Sequence, residues 1–196
     1  MTPVEPKKDL PVKRFRSQAA LEAWLDKHHA SPAGLWVELA KKDSGVRSVT
    51  HPEAVESALC YGWIDGLAGA ADDPRFWRLR FTPRRRRSKW SRINCAAVER
   101  LQTAGRLKPA GLREVAAAKA DGRWAAAYAS PRSITVPEEL QAGLNASPRA
   151  KRFFEQLDSR NRYAILYRVQ DAKKPETRLR RIEKFLRMLE AGETIY

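Results

Sequence analysis

The sequence predicts an α+β fold: an N-terminal module with a small, mostly antiparallel sheet packed by helices, followed by an all-helical C-terminal module. Segments in which apolar and polar residues alternate, as in half-buried strands, occur between residues 34 and 82. Helix start signals separate them, and from residue 137 onward apolar residues recur only at helical spacing. We place the two modules at residues 15–130 and 131–196, and we expect a flexible tail at residues 1–14, which carry three prolines.

Local signals predict the first elements. Ser17 is the expected N-cap of a first helix, and the alternation over residues 34–42 predicts a strand. Turn residues come next, so a second short strand at residues 46–49 is expected to pair with the first. Thr50 and Glu53 form a capping box, which predicts the start of the next helix.

The remaining strands of the module precede its basic region. Gly62 is expected to end the helix, and residues 63–67 are then extended. Residues 75–82 alternate between an apolar set and a set that displays arginines, which predicts a half-buried antiparallel strand. Residues 83–89 are expected to form a loop, and Ser91 is expected to cap the helix that follows it.

Helix starts mark the rest of the chain. Pro109 suits the first turn of another helix in the first module. In the second module four helices are predicted: three start at Pro137, Pro148 and Pro175, and the third in order begins after an N-cap at Ser159.

One stretch, residues 75–94, dominates the charge pattern. It carries eight cations and no acid from residue 78 to residue 92: Arg78, Arg80, Arg84, Arg85, Arg86, Arg87, Lys89 and Arg92. The whole chain has a formal net charge of +15, which favours contact with nucleic acid, an anionic membrane surface or acidic partners. A solvated, arginine-rich surface explains the same charge, so both interpretations stay open.

The candidate binding residues lie in or beside this stretch and offer an anion cations, hydrogen-bond donors or aromatic rings. The loop precedes a predicted helix N-terminus, where free N–H groups and the helix dipole favour anions. Arginines for phosphates and aromatic rings for stacking suit a nucleic-acid strand equally well. The predicted binding residues are Trp63, Asp65, Arg78, Arg80, Thr82, Arg84, Arg85, Ser88, Lys89, Trp90, Ser91 and Asn94.

Asp65 is the acidic member of this set. If the strands at residues 63–67 and 75–82 pair, Asp65 is expected to lie opposite Arg78 or Arg80. It then acts either as a general base or orienter of a substrate-binding arginine, or as half of a structural ion pair. The enzymatic alternative requires a pocket lined by Trp63, Trp77 and Trp90.

Other chemistry has little support in the sequence. No catalytic constellation is recognised, and no metal site or cofactor motif is predicted. Cys60 and Cys95 lack CxxC spacing and lie in apolar, helix-like segments, so each is expected to be a buried thiol. The N-terminal residues contain no apolar run typical of a signal peptide, and no segment approaches the roughly 20 apolar residues of a membrane span. A cytoplasmic protein is therefore expected.

Five linked motifs occur in order along the chain. They are Cys60-Tyr61-Gly62-Trp63-Ile64-Asp65-Gly66, Arg80-Phe81-Thr82-Pro83-Arg84, Ser88-Lys89-Trp90-Ser91 with Asn94, Gly105-Arg106-Leu107-Lys108-Pro109-Ala110-Gly111, and Ala172-Lys173-Lys174-Pro175-Glu176-Thr177-Arg178. Together, from about Leu35 to Leu189, they resemble the YdeI/OmpD-associated (bacteriocin-protection, OmdA-like) family. The resemblance implies an α+β module followed by a helical module, and a role in protection against bacteriocins or antimicrobial peptides and in stress survival.

Three classes of function follow from these observations. The first is a binding protein that holds an anionic partner on the basic stretch, with nucleic acid as one alternative. The second is a small-molecule enzyme that uses Asp65 and arginines. The third is a stress-protection protein that acts by contact with another protein, whose identity the sequence does not indicate.

Overall fold

The computed structural model of the protein describes residues 10–196. The described chain divides into two units: residues up to 90 together with 94–126, and residues 91–93 together with 127–196. The first unit contains β1 (Val12–Arg14), α1 (Gln18–His28), β2 (Leu35–Ala40), α2 (His51–Cys60), β3 (Trp63–Ala70), β4 (Phe76–Pro83), most of α3 (Arg92–Thr103) and α4 (Pro109–Ala120). The second contains α5 (Glu138–Ala146), α6 (Pro148–Gln156), α7 (Ser159–Gln170) and α8 (Pro175–Glu190).

The sheet of the first unit has the strand order β1-β2-β4-β3. β1 runs parallel to β2, whereas β2 with β4 and β3 with β4 are antiparallel pairs. The predicted α+β class with a small, mostly antiparallel sheet is therefore confirmed. β2, in the middle of the sheet, is buried on both faces, as expected of a central strand covered on each side.

Apolar side chains of the sheet and of the first two helices form the core of this unit. Across β2 and β4 the register places Val37 opposite Leu79, so their side chains share one face. Leu25 of α1 and Leu59 of α2 are each only 2% exposed. Trp24 of α1 meets the ring of Trp63 edge-on, with ring centroids 6.1 Å apart.

The helix starts that depend on local capping occur where the sequence predicts them. The Ser17 side chain accepts a hydrogen bond from the Ala20 N–H at the start of α1. At the start of α2, Thr50 and Glu53 form both halves of the predicted capping box. These signals succeed because each is complete within four residues of chain.

The short strands are predicted less well. Residues 12–14, expected in the tail, form β1 through parallel pairing with β2, and residues 1–9 of that tail lie outside the described residues. The expected strand at residues 46–49 is wrong, because no strand forms there. Instead the Ser48 hydroxyl accepts a hydrogen bond from the Ala40 N–H, at 3.0 Å, and that contact takes the place of a ladder. 

The second unit is helical, and its four helices begin within one residue of the predicted starts. The predicted N-cap at Ser159 is wrong, because Asp158 caps α7 and accepts a hydrogen bond from the Asn161 N–H. Their inward faces form one apolar core. Its buried members are Leu140, Leu144, Ala150, Phe154, Ile165, Leu166, Val169, Ile182, Phe185 and Leu189.

Candidate functional site

Residues 84–91, which join β4 to α3, form what we call the basic loop. Its backbone is held at both ends of a tight turn: the Arg85 N–H donates to the Ser88 hydroxyl at 2.9 Å, and the Ser88 N–H donates to the Arg85 carbonyl at 2.8 Å. The Arg84 N–H donates to the Gly62 carbonyl at 3.0 Å, which ties the loop to the end of α2. The loop therefore has a defined conformation.

Arg84 and Trp90 form the buried base of the basic loop. The Arg84 guanidinium lies 3.5 Å from the centre of the Trp90 ring, and the two residues are only 6% and 2% exposed. Arg84 also donates through Nη1 to the Lys89 carbonyl at 3.1 Å. The Trp90 ring packs against Trp124 with centroids 5.0 Å apart, so its faces are not available for stacking on a nucleobase.

Arg123, which follows α4 in the sequence, forms a hydrogen bond to the backbone of the basic loop. Its Nη1 donates to the Ser88 carbonyl at 3.1 Å, while its Nε pairs with an Asp121 carboxylate oxygen at 2.7 Å. Hydrogen bonds from Arg123 are the main cause of a lowered pKa of Asp121. Arg123 could not be predicted from the sequence as part of this site, because only the three-dimensional path of the chain brings it to residue 88.

Three consecutive arginines, Arg85, Arg86 and Arg87, point away from this base. All three are exposed, and none forms an ion pair with any residue from 10 to 196. The positive charge of Arg86 makes a small contribution to the lowered pKa of Asp121. The basic loop thus presents a compact, positively charged surface to solvent, on a backbone held by the contacts above.

Arg78 has a different environment from the loop arginines. Its Nε donates to Glu38 at 2.9 Å and its Nη2 to Asp72 at 2.6 Å. Glu38, which is nearly buried, also accepts a hydrogen bond from Arg14 at 2.6 Å. The hydrogen bond to Glu38 is the first cause of a raised Arg78 pKa. Arg78 is thus held in a structural ion-pair network, away from the basic loop.

Asp65 does not lie opposite an arginine, so that expectation is wrong. The register of β3 and β4 places it opposite Phe81, and a β-bulge follows before Ala68. Because side chains alternate along a strand, Asp65 and Arg80 point to opposite faces of the sheet. Arg80 lies beside Gly66, and its Nε is buried with no hydrogen-bond partner among the described residues.

Trp63, Thr82 and Asn94 lie on three different elements, whereas Ser91 is the last residue of the basic loop. Trp63 is buried and donates through Nε1 to the His29 carbonyl at 2.9 Å. Thr82 is half-buried in β4, opposite Ile64. Ser91 forms an isolated bridge with Tyr128, and Asn94 lies in the first turn of α3. The structure thus collects Arg84, Arg85, Ser88, Lys89, Trp90 and Ser91 in one loop and places Trp63, Asp65, Arg78, Arg80, Thr82 and Asn94 on other elements.

The cavity beside Trp63 is not the pocket that the enzymatic alternative requires. A cavity of about 150 Å³ is lined by Trp63 and Arg84 together with His29, Arg113 and Glu114, but Trp77 and Trp90 do not line it. Small-molecule sites usually measure about 300–1,000 Å³. The volume of this cavity lies below that range.

Two further expectations concern metals and thiols. Between residues 10 and 196 no group of three or more His, Cys, Asp or Glu side chains is placed to hold a metal ion. Cys60 and Cys95 are both free and buried, as predicted, and burial raises the pKa of the Cys60 thiol to about 11. Among the described helices, none combines the length and apolar character needed to cross a membrane.

Two families match separate parts of the chain. The family described as "Domain of unknown function (DUF8412)" matches residues 13–114, and that described as "Bacteriocin-protection, YdeI or OmpD-Associated" matches residues 133–192. The second match confirms the resemblance for the motif that begins at Ala172. The four earlier motifs, between Cys60 and Gly111, fall within the first match. No curated protein and no solved structure matches the chain.

Proposed function

The chain belongs to the family described as Domain of unknown function (DUF8412) and carries a bacteriocin-protection, YdeI or OmpD-associated segment, and we propose that it is a binding protein that holds a polyanion on its basic loop. The observation that carries this proposal is the contrast between Arg78, which is paired with two carboxylates, and Arg85, Arg86 and Arg87, which are exposed and form no ion pair with residues 10–196. Three adjacent guanidinium groups on a constrained backbone suit a ligand with regularly spaced anionic groups.

The phosphate backbone of a nucleic acid is the polyanion that this surface suits best. Exposed arginines bind phosphates and release counterions, and this produces affinity that does not depend on base sequence. The aromatic residue of the loop, Trp90, is buried and so contributes no stacking. We therefore propose contact with the backbone rather than recognition of bases.

Protection against bacteriocins enters this proposal only through the family description. The chain has a formal net charge of +15, which disfavours direct capture of a cationic peptide and favours an anionic partner. The enzymatic alternative receives less support, because Asp65 and Arg80 point to opposite faces of the sheet.

Fluorescence anisotropy tests the proposal with labelled single- and double-stranded DNA and RNA, from roughly 50 to 300 mM salt. The variant replaces Arg85, Arg86 and Arg87 by alanine. The control replaces Arg149, Lys151 and Arg152, which are exposed on α6 and form no ion pair with residues 10–196, so it loses the same three charges.

A plot of log affinity for duplex DNA against log salt concentration has a negative slope, to which each neutralised phosphate contributes about −0.9. The slope of the loop variant should therefore be shallower than that of the wild type by about 2–3. The control variant should change the slope by less than about 1. Equal effects of the two variants would mean that only net charge matters and that the loop is not the site. No binding of the wild-type protein at the lowest salt would remove nucleic acid as the polyanion.

A further inference from the structure

A concave site has all its lining residues within the C-terminal unit. It is a cleft of about 470 Å³, within the range of about 300–1,000 Å³ that small-molecule sites occupy. Its walls include three tyrosine rings and two arginines. The residues that define this tyrosine cleft are Tyr163, Tyr167, Tyr196, Arg160, Arg168 and Pro131.

Helix α7 builds one wall through its periodicity. Arg160, Tyr163 and Tyr167 follow one another at spacings of three and four residues, which places them along one face of the helix, and Arg168 lies at the edge of that face. The rings of Tyr163 and Tyr167 lie 5.8 Å apart and are tilted by 37°. The Tyr163 hydroxyl donates to the Ala129 carbonyl at 3.1 Å, which holds that ring in place.

The second wall comes from the last residues of the chain. The Asn161 side chain, nearly buried, accepts hydrogen bonds from the Ile195 and Tyr196 N–H groups, both at 3.0 Å. These bonds hold the Tyr196 ring where the Arg160 guanidinium lies 4.1 Å from its centre and that of Arg168 lies 5.7 Å from it. The two arginines already face an aromatic ring in this geometry.

Both cleft arginines keep their charge available. Neither Arg160 nor Arg168 forms an ion pair with any residue that the structure describes. The nearby acid, Asp158, is committed to capping α7, where it accepts from the Asn161 N–H at 2.6 Å. Its pKa is lowered first by that hydrogen bond and only slightly by Arg160. A cleft with apolar rings and two uncompensated guanidinium groups repels cations and offers little to a neutral aliphatic molecule.

We propose that the tyrosine cleft binds a small planar aromatic molecule that carries an anionic group. Its ring packs against the tyrosine rings, and its carboxylate or phosphate accepts hydrogen bonds from Arg160 or Arg168, which lie beside the Tyr196 ring. Aryl carboxylates and mononucleotides share this chemistry, and the experiment separates them.

Isothermal titration calorimetry of the full chain with matched probes tests this proposal. The probes are naphthalene-2-carboxylate, the uncharged naphthalene-2-carboxamide, and acetate, which has the charge without the ring. AMP and adenosine form a second pair. The carboxylate should bind at least about tenfold more tightly than the amide, because one charge-assisted contact contributes about 1.4 kcal/mol or more. Acetate should show no saturable binding.

Replacing both Arg160 and Arg168 by glutamine should reduce the affinity for the carboxylate to that for the amide and leave amide binding unchanged. The control, Arg149→Gln, removes an exposed charge of the same unit and should have no effect. The comparison of AMP with the naphthoate then shows which aromatic anion the cleft prefers.

Equal affinity of the wild-type protein for the carboxylate and the amide would overturn the proposal without any variant. The absence of saturable naphthoate and AMP binding below roughly 1 mM would also overturn it. So would a double variant that folds, by far-UV circular dichroism, and still binds the carboxylate as tightly as the wild type.

Discussion

Arginine side chains along β4 and the basic loop have three different surroundings. Arg78 is paired with Glu38 and Asp72, and Arg84 is buried against Trp90. Arg85 is exposed on the outside of the turn. Arginine can fill all three roles because its guanidinium is planar, always charged and weakly hydrated. A run of identical residues in the sequence is therefore not a uniform surface in the folded protein.

The Arg84→Gln variant tests whether this arginine belongs to the frame of the loop. It removes the cation–π contact with Trp90 and the hydrogen bond to the Lys89 carbonyl. We expect the free energy of unfolding to fall by about 2 kcal/mol, since a desolvated cation–π pair contributes up to about that amount. Urea denaturation measures the change.

The matched control is Arg85→Gln, which removes a charge from the outside of the same turn. Its stability should stay within about 0.5 kcal/mol of the wild type, while its salt-dependent DNA binding weakens. The opposite pattern, in which Arg84→Gln keeps full stability and loses DNA affinity, would assign Arg84 to the binding surface instead.

At the scale of elements, α4 approaches the end of α2 so closely that the motif at residues 105–111 must end in glycine. A Cβ placed on Gly111 would lie 2.3 Å from the Cys60 carbonyl oxygen. The Lys108 N–H donates to the same carbonyl at 3.1 Å. Gly62, which ends α2, has a φ of +73° in the left-handed region that favours glycine. Glycine is needed at residue 111 because two backbones touch there.

Substitution of Gly111 by alanine should therefore separate α4 from α2. We expect a loss of about 1–3 kcal/mol in the free energy of unfolding, typical of overpacking against backbone that cannot move aside. Thermal and urea unfolding both report it. The control is Gly69→Ala in β3, where an added Cβ meets no atom within 4 Å. If the two alanine variants are equally stable, the helices have room that this packing does not indicate.

At the scale of the whole molecule, the distribution of tryptophan allows the unfolding of the two units to be distinguished. All six tryptophans lie in the first unit, at residues 24, 36, 63, 77, 90 and 124. Tryptophan fluorescence therefore reports on the first core, whereas far-UV circular dichroism reports on the helices of both units. Unfolding of the second core alone is seen as a circular-dichroism change that the fluorescence does not follow. The predicted module limits, 15–130 and 131–196, stay a prediction that these two signals can test.

The Phe154→Ala variant should destabilise the second unit selectively. Phe154 is 2% exposed within the second core, so we expect a loss of about 3–5 kcal/mol in the free energy of unfolding of that core. The loss should show as an earlier part of the circular-dichroism transition that tryptophan fluorescence does not follow. The fluorescence transition should stay in place. Leu25→Ala, in the first core, should shift the fluorescence transition instead and lower the free energy of unfolding of that core by about 2–5 kcal/mol. If either variant shifts both transitions together, the two cores unfold as one cooperative unit.

The sequence by itself determined the features that arise from neighbouring residues. The α+β class, the caps at Ser17 and Thr50, and the starts of the four C-terminal helices were all predictable, because capping and helical spacing act within a few residues. The position of the basic loop between β4 and α3 was predictable for the same reason.

Only the tertiary structure decided which of the charged residues share a surface. The parallel pairing of β1, the register that separates Asp65 from Arg80, and the burial of Arg84 under Trp90 depend on contacts between distant parts of the chain. Strand register has a period of two, so a shift of one residue moves a side chain to the other face. No local pattern encodes that choice, which packing of the whole core makes.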